Sequence, residues 1–136
     1  MFRSFRLYRR GAAVVEFAIV APVLLLLILG MIEYGRLVMV QQVITNATRE
    51  GARQAVLDGA TTSGVRTIVN DFLAASRVSG AVVTVTPDPP NTAAFGDPVS
   101  VAVQVPFSEV SWLPTPMFLS ETTLSATTVM RRETVQ

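Results

Sequence analysis

A chain of 136 residues carries 11 basic side chains against 10 acidic ones, a formal charge of +1, with every basic residue an arginine and neither histidine nor cysteine present. These absences exclude zinc centres of the usual ligand types, disulfide scaffolds, Ser-His-Asp and Cys-His couples, and lysine-based Schiff-base or phosphate-loop chemistry. No metal or cofactor is expected, and an enzyme would have to work with carboxylates or hydroxyls alone.

The first eleven residues hold Arg3, Arg6, Arg9 and Arg10 and no acid. From Ala12 to Ile32 the sequence turns apolar, with 18 of 21 residues hydrophobic and only Glu16, Pro22 and Gly30 interrupting. As a helix this run is about 31 Å long, the thickness of a bilayer's hydrocarbon core. The spacing therefore predicts a membrane span over 12–33 behind a basic leader at 1–11. The run is too long for the apolar region of a secretory signal and ends in Glu33-Tyr34-Gly35-Arg36 without a small-residue cleavage site. The leader's +4 contrasts with the remainder, where seven arginines face ten acids. The positive-inside tendency then places the N-terminus in the cytoplasm and the C-terminal part outside. A mildly acidic exported part argues against nucleic acid as a partner.

A carboxylate in an apolar span costs up to about 3 kcal/mol at the bilayer centre and less near its end, so Glu16 calls for a partner or a task. Pro22 removes one helical hydrogen bond, to the carbonyl of Ala18, and is expected to kink the helix. Beyond the span, Leu37, Val40, Ile44, Ala47, Gly51 and Ala55 recur at helical spacing, predicting continuation of the helix to Asp58-Gly59. That stripe suits either the protein's own sheet or a partner helix. Gly51 in mid-helix costs roughly 1 kcal/mol unless something packs closely there.

A loop over 60–63 leads to a second helix, capped by Thr62 or Ser63, lined by Val65, Ile68, Val69, Phe72 and Leu73, and ended by Ser79-Gly80. Strands are predicted at 81–86, 99–105 and 122–131, the alternation of 99–105 being the clearest. The fold class is α+β: a long helix with a membrane half and an exposed half, a shorter second helix, and a small three-stranded antiparallel sheet covered on one face by the helices. The extracytoplasmic module spans 60–136. Trp112, Leu113, Met117 and Phe118 form either an exposed recognition loop or a plug for the sheet's open edge. Asp58, Asp71, Asp88, Asp97 and Glu109 are the carboxylates available to an enzyme, but most adjoin Gly, Pro or Ser, where turn formation accounts for them.

The basic leader, Gly11, Ala12-Ala13-Val14-Val15 and Glu16-Phe17 before an apolar helix resemble the processing signature of type IV prepilins. The runs 10–18 (Arg-Gly-Ala-Ala-Val-Val-Glu-Phe-Ala), 30–36 (Gly-Met-Ile-Glu-Tyr-Gly-Arg) and 49–53 (Arg-Glu-Gly-Ala-Arg) look like the TadE-like family, pilin-like proteins of tight-adherence (Tad, Flp pilus) systems. The resemblance implies a pilin-like fold and a non-enzymatic pseudopilin or minor pilin of the bacterial inner membrane. It implies cleavage after Gly11 by a prepilin peptidase, and pairing of Glu16 with a subunit's new N-terminal amine during assembly. The implied partners are the peptidase, other pilin subunits and the Tad assembly platform, with no small-molecule substrate. The long C-terminal part separates the chain from the short major Flp pilins, and Ala12 departs from the first residue of conventional type IV pilins. The alternative is an uncleaved, single-pass anchored domain that binds a ligand or acts as an adhesin through the Trp112 loop.

Overall fold

The computed structural model describes residues 4–132, with side chains from residue 11 onward. The side chains of the leader arginines and the last four residues of the 60–136 module lie outside that range. Helix α1 (Ser4–Ala55) is a single α-helix of 52 residues, about 78 Å long. It remains α-helical through Pro22, begins ahead of Gly11, and ends three residues short of the expected Asp58. Hydrogen bonds from Leu57 N–H to the Gln54 carbonyl and from Ala60 N–H to the Leu57 carbonyl make the turn that follows, with Gly59 at φ +73°.

Helix α2 (Thr62–Ala75) is capped by Thr61, one residue earlier than expected: its hydroxyl accepts from Gly64 N–H at 3.1 Å. It also ends four residues before the predicted Ser79-Gly80. The closure is a Schellman arrangement, Arg77 N–H donating to the Ala74 carbonyl at 3.0 Å and Val78 N–H to the Leu73 carbonyl at 2.9 Å. Arg77 takes the left-handed position at φ 54° that glycine usually fills, and Val78 and Leu73 are both buried beneath the turn.

Strands β1 (Val82–Thr86), β2 (Pro98–Pro106) and β3 (Thr123–Arg131) form an antiparallel meander in that order, the α+β arrangement expected from the sequence. Val85 pairs with Val101, and Val103 with Ala126. Period-two alternation sends Val99, Val101, Val103 and Val105 to the helix-covered face, where all four are fully buried. Val40, Ile44 and Ala47 meet them from α1, and Val65, Val69 and Leu73 from α2. The stripe suggested as a partner contact is therefore occupied from within the chain, with Gly51 buried and Leu37 packed at its margin. A Cβ on Gly51 would lie 2.5 Å from Val69 Cγ2 and 3.2 Å from Val101 Cγ1, so the glycine admits side chains of α2 and the sheet rather than another backbone.

Polar contacts fix the direction of the sheet. Gln41 Nε2 donates to the Ser125 carbonyl at 2.9 Å, Thr48 and Thr128 share a hydroxyl hydrogen bond at 2.9 Å, and Arg132 reaches Asp58 at 3.4 Å. Since Thr48 spends its only hydroxyl proton on the Thr45 carbonyl, Thr128 is the donor to it. Strand β3 thus runs in the same direction as α1. The α1–α2 turn and the β1–β2 connection lie at one end of the module, and the β2–β3 connection, residues 107–122, lies at the end nearest the apolar half of α1.

Candidate functional site

Two sets of residues on α1 stand apart from the core. The first is the bare arm. Every residue from 11 to 27 except Ala21 is exposed, including Phe17 at 71%, and of the large apolar side chains from Val14 to Ile32 only Leu29 is half-buried. Among the described residues this is the one helix long and apolar enough to cross a membrane by length and composition. Gly11, Ala12, Glu16 and Phe17 sit in the open on it, and Gly11 has nothing within 4 Å of a Cβ position. The structure brings these four residues, like Pro22, against no part of the folded module.

The second set begins where the arm ends, and sequence reasoning missed it. Glu33 is 2% exposed and Arg36 5% exposed, the only two charged side chains buried among the described residues. Glu33 faces the β2–β3 connection and accepts hydrogen bonds from Phe118 N–H at 3.3 and 3.2 Å and from Leu119 N–H at 3.1 Å. Arg36 Nε donates to the Val110 carbonyl at 2.8 Å, and its Nη2 donates to the Arg77 carbonyl at 3.3 Å. Its guanidinium also lies 5.0 Å from the centre of the Trp112 ring, an attraction of about 0.5–1 kcal/mol at an exposed face. Burial lowers the pKa of Arg36 from the ordinary guanidinium value, yet the group stays charged at neutral pH. The two charges do not pair with each other. Each holds backbone of the same loop instead, and no buried side-chain nitrogen or oxygen among the described residues lacks a partner.

The geometry follows from the local sequence. Phe107 and Val110, in and just after a single 3-10 turn (Phe107–Glu109), are buried in the core and pin the start of the connection. Phe107 N–H donates to the Thr122 carbonyl at 2.8 Å, which closes the loop at its neck. The chain between must run down α1, and Glu33 and Arg36 lie on the same helix face as Val40 and Ile44, at spacings of three and four. Extrapolating the apolar stripe backward puts both on the face that α1 buries, though not against which partner. Trp112, Met117 and Phe118 are exposed and Leu113 is half-buried. Phe118 and Trp112 lie beside Gly30 and Arg36 of α1, while Phe107 and Val110 are buried in the core. Leu26, Leu27, Gly30, Met31, Glu33, Tyr34, Phe118 and Leu119 line an apolar groove of about 680 Å³ at this junction.

Of the candidate carboxylates, Asp58, Asp88 and Asp97 have local partners. Glu50 and Arg53 form an exposed ion pair one helical turn apart. The hydrogen bond from Arg53, aided by its charge, lowers the pKa of Glu50. Asp58 meets Arg132, Asp88 meets Thr62 and Arg66, and Asp97 accepts from Ala94 N–H at 3.0 Å. No three potential metal-ligating side chains come together among the described residues.

Residues 11–53 match the family model described as TadE-like protein. The match takes in both the bare arm and the packed half of α1, with Glu33, Arg36 and Gly51 inside it, and stops before the second helix and the sheet. No curated protein and no solved structure matches the chain. The likeness to TadE-like proteins is confined to this segment, which is under half of the chain.

Proposed function

We propose that this chain is a non-enzymatic minor pilin or pseudopilin of a Tad-type (Flp pilus) apparatus, cut after Gly11 by a prepilin peptidase and acting in pilus assembly. Residues 12–33 of α1 anchor it in the bacterial inner membrane, with the leader in the cytoplasm and the helix-and-sheet module outside. The observation that supports this most is the TadE-like match falling on an uncovered apolar arm that carries Gly11, Glu16 and Phe17 in the open.

The chemistry is done to the chain. Gly11 lies within α1, so a peptidase must unwind a turn of helix to gain an extended backbone. Glycine eases this, being about 1 kcal/mol less favourable than alanine in a helix. Hydrolysis of the Gly11–Ala12 bond would leave an ammonium on Ala12, four residues from Glu16. In a growing assembly, a carboxylate and an amine from neighbouring subunits offset each other's cost of leaving water. Alone, Glu16 gains from standing in the first turns of the shortened helix, where the dipole favours an anion. The partners are the peptidase, other pilin subunits and the assembly platform, met through helix and sheet surfaces.

Intact-mass measurement of the protein from cells with the matching peptidase tests this. The expected product lacks residues 1–11, and a Gly11→Val variant remains full length. A full-length wild-type product would leave an uncleaved anchored domain as the better reading. Glu16→Ala should permit membrane insertion and abolish assembly.

A further inference from the structure

We propose that the β2–β3 connection is a second membrane contact, with Phe118 and Met117 dipping into the acyl region and Trp112 at the headgroups, so that lipid fills the groove between this loop and α1. The proposal rests on the reading of residues 12–33 as a membrane span.

Depth along α1 supports it. The Phe118 ring lies 3.5 Å from where a Cβ on Gly30 would stand, three residues inside the end of the span. Trp112 lies under Arg36, six residues farther along, and Tyr34 is exposed between them. Six helical residues separate the two levels by about 9 Å, comparable to the polar interfacial layer on one side of a bilayer, roughly 5–8 Å. Phe118 is thus at acyl depth, while the exposed Trp112 and Tyr34 form the aromatic belt found at headgroup level.

The loop is also built for a medium poor in water. No charged residue occurs between Glu109 and Glu121, and Trp112, Leu113, Met117, Phe118 and Leu119 are apolar. Unpaired backbone N–H and C=O groups are the obstacle to irregular chain at that depth. Part of this obstacle is removed, since Pro114 and Pro116 have no N–H, Leu113 N–H donates to Ser111 Oγ at 3.1 Å, and Phe118 and Leu119 donate to Glu33, while Trp112, Thr115 and Met117 find no acceptor among the described residues. The Glu33 carboxylate, at the end of the span, is in turn covered by the loop. The apolar groove is continuous with the uncovered face of the arm through Leu26, Leu27 and Met31, surfaces that a bilayer covers together. Two contacts on different elements would set the tilt of α1 and the height of the module above the membrane.

Trp112 is the only tryptophan, so fluorescence can read depth directly. The full chain is reconstituted in phosphatidylcholine vesicles with bromines at shallow or deep acyl carbons. Single-tryptophan variants are made in a Trp112→Phe background: Phe118→Trp in the loop, Phe95→Trp at the far end of the module, and Leu24→Trp in the span. Shallow bromines should quench the residue-118 probe at least about twofold more than the residue-95 probe and blue-shift its emission, given the interfacial depth argued above. If deep bromines quench the residue-24 probe while aqueous acrylamide reaches the residue-118 probe as readily as the residue-95 probe, the loop proposal is overturned and the span stands. A residue-118 probe shielded from both quenchers at high protein-to-lipid ratio would assign the groove to a second copy, and also overturns it. A residue-24 probe that bromines never reach would remove the span reading itself.

Discussion

The two halves of α1 are one continuous helix, yet they solve opposite problems. Residues 12–32 are apolar on nearly every side and largely uncovered, a run long and apolar enough to cross a membrane. Residues 33–55 bury a single stripe, made of Val40, Ile44, Ala47, Gly51, Ala52 and Ala55, and leave Asn46, Arg49 and Arg53 outside. The difference shows that burial within the chain follows the arrangement of apolar residues rather than their number. Where the hydrophobic surface goes all round, the chain's own small sheet cannot cover it. Where it narrows to a stripe, the sheet and α2 cover it completely. Glu33 and Arg36 stand at the changeover and turn the last exposed turns of the stripe into a polar clasp for a loop.

The sharpest way to break this contrast is to truncate one apolar residue in each half. Ile44→Ala should cost the folded module about 2–5 kcal/mol. Leu25→Ala should leave its denaturation midpoint unchanged, both followed by Trp112 emission in detergent micelles. Equal losses would mean that the arm packs against the module after all. Glu33→Ala at the boundary strands two loop amides and should cost about 2–3 kcal/mol. The decisive reading is hydrogen exchange at Phe118 and Leu119, which should speed up while that at Val103 falls only with the global loss. Gly51→Ala gains in helix propensity but meets Val69 and should be destabilising by about 1 kcal/mol net, a sign opposite to that at an exposed glycine. Arg77→Gly should be stabilising by about 0.5–1 kcal/mol, because the left-handed turn then costs nothing, without altering the carbonyl that Arg36 uses. The smallest effect belongs to Glu50→Gln. With the folded pKa of Glu50 lowered, its contribution is present above the unfolded value and is lost as pH falls through the folded one. Wild type and variant melting temperatures should therefore differ slightly at neutral pH and converge in acid.

Much of the architecture was readable because one period dominates each segment. The alternating valines of β2 can form only a strand with one buried face, and the stripe from Leu37 to Ala55 only a helix with one buried face. The ends of α2 were not readable, because several neighbouring residues can cap. Thr61, Thr62 and Ser63 all carry hydroxyls, and backbone geometry chose Thr61. At the other end Arg77 took a conformation that sequence reasoning reserved for Gly80, since burying Val78 against Leu73 outweighs the local strain. Glu33 and Arg36 were hidden for a different reason. A charge at the end of an apolar run ordinarily marks the water boundary, and only the tertiary fold supplied the loop backbone that lets both be buried. Gly11, Glu16 and Phe17 present the reverse case: a legible local pattern whose role depends on molecules that the chain meets elsewhere.

Because β3 runs in the same direction as α1, the foot of the helix and the end of the last strand lie at opposite ends of the module. Tension between a membrane-held helix and residue 131 would load the nine pairs joining β2 and β3 along the strands. Backbone hydrogen bonds pulled in this shear geometry must rupture together, whereas a hairpin opened from its end unzips one bond at a time.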